Sequence, residues 1–148
     1  MQHTASHRLL QLGILLFLLG LFTGLAVPAV ANPRMGMASH VGGVTNGMFL
    51  VLLGLVWPRL QLAPPLLGTA FGLAVYAAFA NWLATLLAAI WRAGTPMLPL
   101  AAQGQTGTPA QEAVLKALLM TLALAMVVAC LLVLFGLRGS GRRDDVGA

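Results

Sequence analysis

Four long apolar runs, almost free of charge, limit what this chain can fold into more than any motif does. They are Leu9 to Ala31, about Met35 to Trp57, Leu66 to Trp91, and Ala113 to Leu137. Each exceeds the ~20 residues that cross a ~30 Å hydrocarbon core as an α-helix. Hydrocarbon offers the backbone no hydrogen-bond partner, so helices must satisfy it internally, and the period-two alternation of strands is missing. Composition agrees, since 59% of the 148 residues are hydrophobic and 7% are charged, against about 25% charged in a soluble domain. The expected fold is all-α, a polytopic membrane protein with a four-transmembrane-helix bundle as one domain over residues 1–148.

The first run is preceded by Arg8 and ends in Ala29-Val30-Ala31, which imitates a signal peptide. It is longer than the ~7–15 residues of a signal's apolar region, so it is read as a retained helix. With the termini in the cytoplasm, Arg8, Arg59, Arg138, Arg142 and Arg143 lie inside, against Arg34, Arg92 and Lys116 outside. That excess follows the positive-inside rule. The net charge of +5 therefore reads as topology, and no nucleic-acid partner is expected, because that would want a clustered basic face. The lone Cys130 has no CxxC partner.

The connections are unequal. Pro64 and Pro65 stop the second run from continuing directly into the third, and Trp57 and Trp91 mark span ends as interfacial anchors. "RAGTPMLPLAAQGQTGTPAQE", Arg92 to Glu112, is a long loop with three prolines and three glycines. Such a loop is either a functional cover or a linker. It ends in a TxxQ capping box, with Thr108 as N-cap, Pro109 at the first helical position and Gln111 at the third.

Polar groups in hydrocarbon need partners or a purpose. In the second run Gly36, His40, Gly43, Gly47 and Gly54 follow one another at four, three, four and seven residues, which sets them on one helical face. Gly43 and Gly47 form a GxxxG pair suited to close helix packing, which accounts for the glycines but not for the histidine. His40 is therefore either a hydrogen-bonding packing residue or a metal ligand. Asn46 shares a neighbouring ridge with Ser39 and Gly42; Asn81 and Thr85 share a face of the third run with Ala74, Ala77 and Ala88. At ~1.5 Å per residue, Asn46 and Asn81 fall near mid-span, His40 and Thr85 about 10 Å toward the outer end, and Tyr76 slightly inward. These groups are expected to meet in one layered pocket under the long loop if their faces point together.

Three stretches carry a resemblance. "NPRMGMASHVGGVTNGMFLVLLGLVWPRL", "YAAFANWLATLLAA" and "LAAQGQTGTPAQE" closely resemble the hydroxylaminobenzene mutases, small bacterial membrane proteins that convert hydroxylaminobenzene to 2-aminophenol. The likeness runs from Leu9 to about Gly139. The HxxxxxNGM element, His40 to Met48, is also similar to one in styrene oxide isomerase, which binds b-type haem through a histidine at the corresponding place. The resemblance implies an isomerase of the bacterial inner membrane, with His40 as haem ligand and the Gly43–Gly47 groove as room for the macrocycle. Asn46 and Asn81 would orient the substrate, with Thr85 and Tyr76 as weaker candidates. A homo-oligomer with sites near protomer interfaces is expected, since 148 residues enclose little volume.

Only one histidine lies deep in a span, which implies one protein ligand and an open position on iron able to act as a Lewis acid. The third run carries no carboxylate, which favours a mutase over the alternative, an epoxide isomerase of the styrene oxide type. A small transporter would want a membrane-embedded carboxylate, and spans one to three have none. A noncatalytic haem-binding subunit would have the same composition.

Overall fold

The computed structural model describes residues 2–138. Its helices are α1 (Gln2–Ala26), α2 (Pro33–Val56), α3 (Pro64–Trp91), a single turn α4 (Pro99–Ala102) and α5 (Pro109–Leu137), with 3-10 turns at Val27–Ala29 and Trp57–Arg59. Four of these helices are long and apolar enough to cross a membrane. There is no strand among the described residues.

Proline opens every helix after the first, because the first turn has no use for the amide hydrogen that proline lacks. The side chain of Asn32 caps α2 by accepting from the Met35 amide at 3.1 Å. Thr108 and Gln111 cap α5 reciprocally, with bonds of 3.3 and 2.8 Å, so the capping box read from the sequence is formed. Arg92 ends α3 in the left-handed region, with φ of 53°.

The expected span starts are displaced most at α1. It begins at Gln2 rather than Leu9, because its polar first turns are tied down: Gln2 Nε2 donates to the Leu60 carbonyl and Ser6 Oγ to that of Gly54. Helices α1 and α2 pack closely along one another, α2 lies against α3, and α3 against α5; α1 meets α3 only slightly. Small residues face inward, with Ala70, Ala74, Ala78 and Ala88 of α3 buried. Large ones such as Leu25, Leu52, Leu124 and Phe135 face outward. Between helices in hydrocarbon, close packing of small residues replaces the hydrophobic drive of a soluble core.

The loop after α3 is an ordered cap. Asn32, only 1% exposed, donates from Nδ2 to the Ala101 and Ala102 carbonyls at 3.3 and 3.5 Å, and its own amide donates to Ala89 at 3.0 Å. Glu112 does not turn toward Lys116. Its carboxylate accepts from the Gly94 amide at 2.9 and 3.1 Å and from the Gly107 amide at 2.9 Å. One asparagine and one glutamate thus hold the loop over the start of α2, the end of α3 and the start of α5.

Candidate functional site

The glycine face of α2 turns toward α1, as its spacing requires. A Cβ on Gly43 would lie 2.7 Å from the Gly20 Cα, and one on Gly47 would lie 2.6 Å from the Phe17 amide nitrogen. Gly13 and Gly20 of α1 answer from the other side, meeting Gly47 and Gly43 in the same way. The expected groove for a macrocycle at Gly43 and Gly47 is therefore filled by the α1 backbone, and the GxxxG packing reading is the one the geometry follows.

His40 sits on this interface one turn above Gly43, half-buried. Its Nδ1 lies 2.8 Å from the Gly20 carbonyl. A carbonyl can only accept, so Nδ1 is the donor, and in the neutral ring Nε2 is the nitrogen left to accept. The ring rests on Gly24, where a Cβ would lie 2.6 Å from Nδ1. Beside it opens a shallow groove of about 420 Å³, lined by Leu21, Gly24, Leu25, Met37 and His40. A carbonyl-pinned imidazole with its second nitrogen unbonded is the arrangement that metal-ligating histidines adopt. Among the described residues no three His, Cys, Asp or Glu side chains come together to hold a metal.

The amides lie elsewhere on α2. Six residues from His40, Asn46 is rotated about 120° around the helix axis and faces α3. Its Nδ2 donates to the Gly42 carbonyl at 2.8 Å, and the Asn81 Nδ2 lies 3.5 Å from where a Gly42 Cβ would be. Asn46 and Asn81 thus converge on Gly42, and the Asn81 side chain makes no hydrogen bond among the described residues. Thr85 stands one turn above Asn81 and is 7% exposed, but its hydroxyl donates into its own helix, to Asn81 at 2.8 Å and Trp82 at 3.1 Å. Tyr76 belongs to another face, 42% exposed, with its hydroxyl 2.6 Å from Thr121 Oγ1 of α5. The single layered pocket expected from the sequence is therefore not formed within one chain: His40 looks toward α1, the asparagines toward α3, and Tyr76 toward α5.

A polar brace that spacing alone does not reveal joins these sides. Trp82 of α3 passes over Gly43, where a Cβ would meet its Cδ1 at 2.9 Å, and donates from Nε1 to Thr23 Oγ1 of α1 at 3.0 Å. Thr23 passes its own proton to Leu19 at 2.8 Å, while Ser39 Oγ donates to the Trp82 carbonyl at 3.0 Å. Gly43 thus serves both the close approach of α1 and the crossing of Trp82. The signal was present in the sequence: Gly13, Gly20 and Gly24 lie at seven and four residues in the first span, and a mid-span tryptophan needs a partner for its N–H.

Together the four long apolar helices, with polar groups between them, define the fold of a polytopic membrane protein. The chain belongs to the styrene oxide isomerase family, whose model matches residues 5–138. It is 55% identical over 143 residues to hydroxylaminobenzene mutase HabB of Ectopseudomonas oleovorans, covering 97% of this chain and 87% of that protein. It is 46% identical over 125 residues to hydroxylaminobenzene mutase HabA of the same organism, covering 84% and 93% respectively. No solved structure matches. These relatives make the protein an enzyme of the isomerase class, which sets aside the transporter and the noncatalytic subunit.

Proposed function

We propose that this protein rearranges arylhydroxylamines of the hydroxylaminobenzene type to 2-aminophenols, with b-type haem held by His40. The observation that carries the ligand assignment is the pinned imidazole, with Nδ1 committed to Gly20 and Nε2 left as an acceptor beside an open groove. The substrate class rests on the two mutases to which the chain is similar.

The reaction balances without an external electron donor. The N–O bond breaks, a C–O bond forms at the ortho ring carbon, and the proton lost from that carbon matches the one nitrogen gains. Haem held by His40 would supply Lewis acidity at its iron. The chain's own residues do the rest. Gly20 fixes the tautomer of His40, Gly24 gives the ring its seat, and Leu21, Leu25 and Met37 keep the groove apolar. An apolar wall matters because water would capture an electron-poor ring at the wrong carbon. Asn46 and Asn81 offer amides to the polar end of the substrate.

His40 and the asparagines lie on different sides of α2, so both sets serve one site when copies associate side by side. In that arrangement the groove of one copy gains its second wall from a neighbour. The epoxide-isomerase alternative would use the same ligand but would want an acid or base on α3. There Ala77 is buried and the Thr85 proton is committed to its own helix, which favours the mutase.

Turnover of hydroxylaminobenzene in oxygen-18 water tests the rearrangement. The expected product is 2-aminophenol free of label, as transfer within the substrate requires. Labelled product, 4-aminophenol as the main product, or no aminophenol at all would overturn the proposal.

A further inference from the structure

At the end of the molecule away from the long loop, the first turns of α1 and α3 border a trough of about 760 Å³. Its floor is apolar. Trp57, 1% exposed, packs edge-on against Phe71 with ring centroids 6.1 Å apart, and Leu67 and Gly68 of α3 continue the wall. Its rim is polar and cationic, formed by the first turns of α1 with His3 and Arg8. Glu112, the one carboxylate among the described residues, is bound to Gly94 and Gly107 at the opposite end. Arg8 accordingly has no acidic partner among the described residues. The Gln2 amide is already committed to Leu60, which leaves Arg8 as the rim's cation.

We propose that this trough binds one anionic phospholipid, its phosphate met by Arg8 and one acyl chain laid along Leu67 and Phe71. Charge complementarity selects the headgroup, since a zwitterionic lipid would bring its own cation to a rim that already has one. The apolar floor selects a lipid over a free phosphate ion, which would leave the half-exposed faces of Leu67 and Phe71 uncovered. The surroundings fit as well. Arg59 and Arg138 stand at the same end of the helices, and an arginine-rich end faces the cytoplasmic leaflet, which carries the anionic lipids. Gly68 keeps the trough open, for a Cβ there would find nothing within 4 Å.

Native mass spectrometry of the full chain, released from nanodiscs of equal phosphatidylglycerol and phosphatidylcholine, tests this. The wild type is expected to retain a single lipid, enriched in phosphatidylglycerol. Arg8→Gln is expected to lower that enrichment about fivefold, the factor one surface arginine contributes to the attraction of anionic lipid. Gly68→Phe, whose ring grows into empty space, is expected to abolish the adduct of either lipid. It also replaces glycine by a better helix former, and circular dichroism checks that the helices persist. Equal retention of the two lipids by the wild type, or an adduct indifferent to both substitutions, would overturn the proposal. So would displacement of the adduct by inorganic phosphate alone, which would mark an anion site without lipid character.

Discussion

An imidazole placed among apolar helices gives up water at both ring nitrogens, and each polar group left unpaired there costs about 1–3 kcal/mol. His40 recovers one bond from the Gly20 carbonyl and keeps the other nitrogen unpaired. His40 is half-buried and its second nitrogen, without a protein partner, borders the groove lined by Leu21, Leu25 and Met37, which is the physical reason to read it as more than packing. The seat is specific. Gly24 has no side chain because a methyl there would lie 2.6 Å from Nδ1 and 2.9 Å from Cε1 of the ring. Gly24→Ala is therefore expected to turn the imidazole away from Gly20 and weaken haem retention about 10–100-fold, as loss of a ligand's outer partner does. Losing the Gly20 bond costs about 1–3 kcal/mol, against about 1 kcal/mol gained from alanine as the better helix former, so the thermal unfolding of Gly24→Ala is expected to stay close to or slightly below wild type. Haem titration beside thermal unfolding checks both, and undiminished haem affinity would mean that the seat does not orient the ligand. At this scale the sequence marked His40 and its glycine face, as well as the Asn46 and Asn81 ridges. The spacing of Gly20 and Gly24 and the mid-span Trp82 were visible too, but their partners, and the part of Thr23, arise only when two helices are brought together.

Between elements, the α1–α2 contact is made by backbones. Gly13 meets Gly47 and Gly20 meets Gly43, so separating the helices gives up the close van der Waals packing that holds helices together in hydrocarbon. Gly43→Leu is expected to destabilise the protein by roughly 1–3 kcal/mol, the usual cost of overpacking, and to break the Trp82–Thr23 bond that crosses the same point. Thermal unfolding in detergent measures the first effect, and the shift in Trp82 fluorescence reports the second. An unchanged melting temperature would show that α1 does not pack at Gly43. Helix number and order were legible because length and apolarity alone determine them. The start of α5 was legible too, since Thr108, Pro109 and Gln111 state a cap in local chemistry. The start of α1 was not, because hydropathy ends at Leu9 while tertiary bonds from Gln2 and Ser6 carry the helix on. Nor was the order of the Arg92–Glu112 loop, which depends on Asn32 and Glu112 reaching across it from other elements.

Across the whole molecule, the candidate site residues lie on sides that do not meet within one chain. The open groove at His40, the Asn46–Asn81 face and the arginine-rimmed trough each point in a different direction. Helices α1 and α5 form the two ends of the row and do not pack along one another. A lone copy thus offers a ligand without a complete pocket, which is why association of copies enters the proposed function and why rotation about helix axes was the part least readable from spacing. The most direct measurement joins the visible absorption spectrum of the purified full chain to its turnover of hydroxylaminobenzene, for the wild type and for His40→Ala. The wild type is expected to carry a haem band and to form 2-aminophenol, and His40→Ala is expected to lose both together. Full turnover by a haem-free preparation, or an unchanged band in His40→Ala, would contradict the assignment of His40 as the ligand on which the chemistry depends.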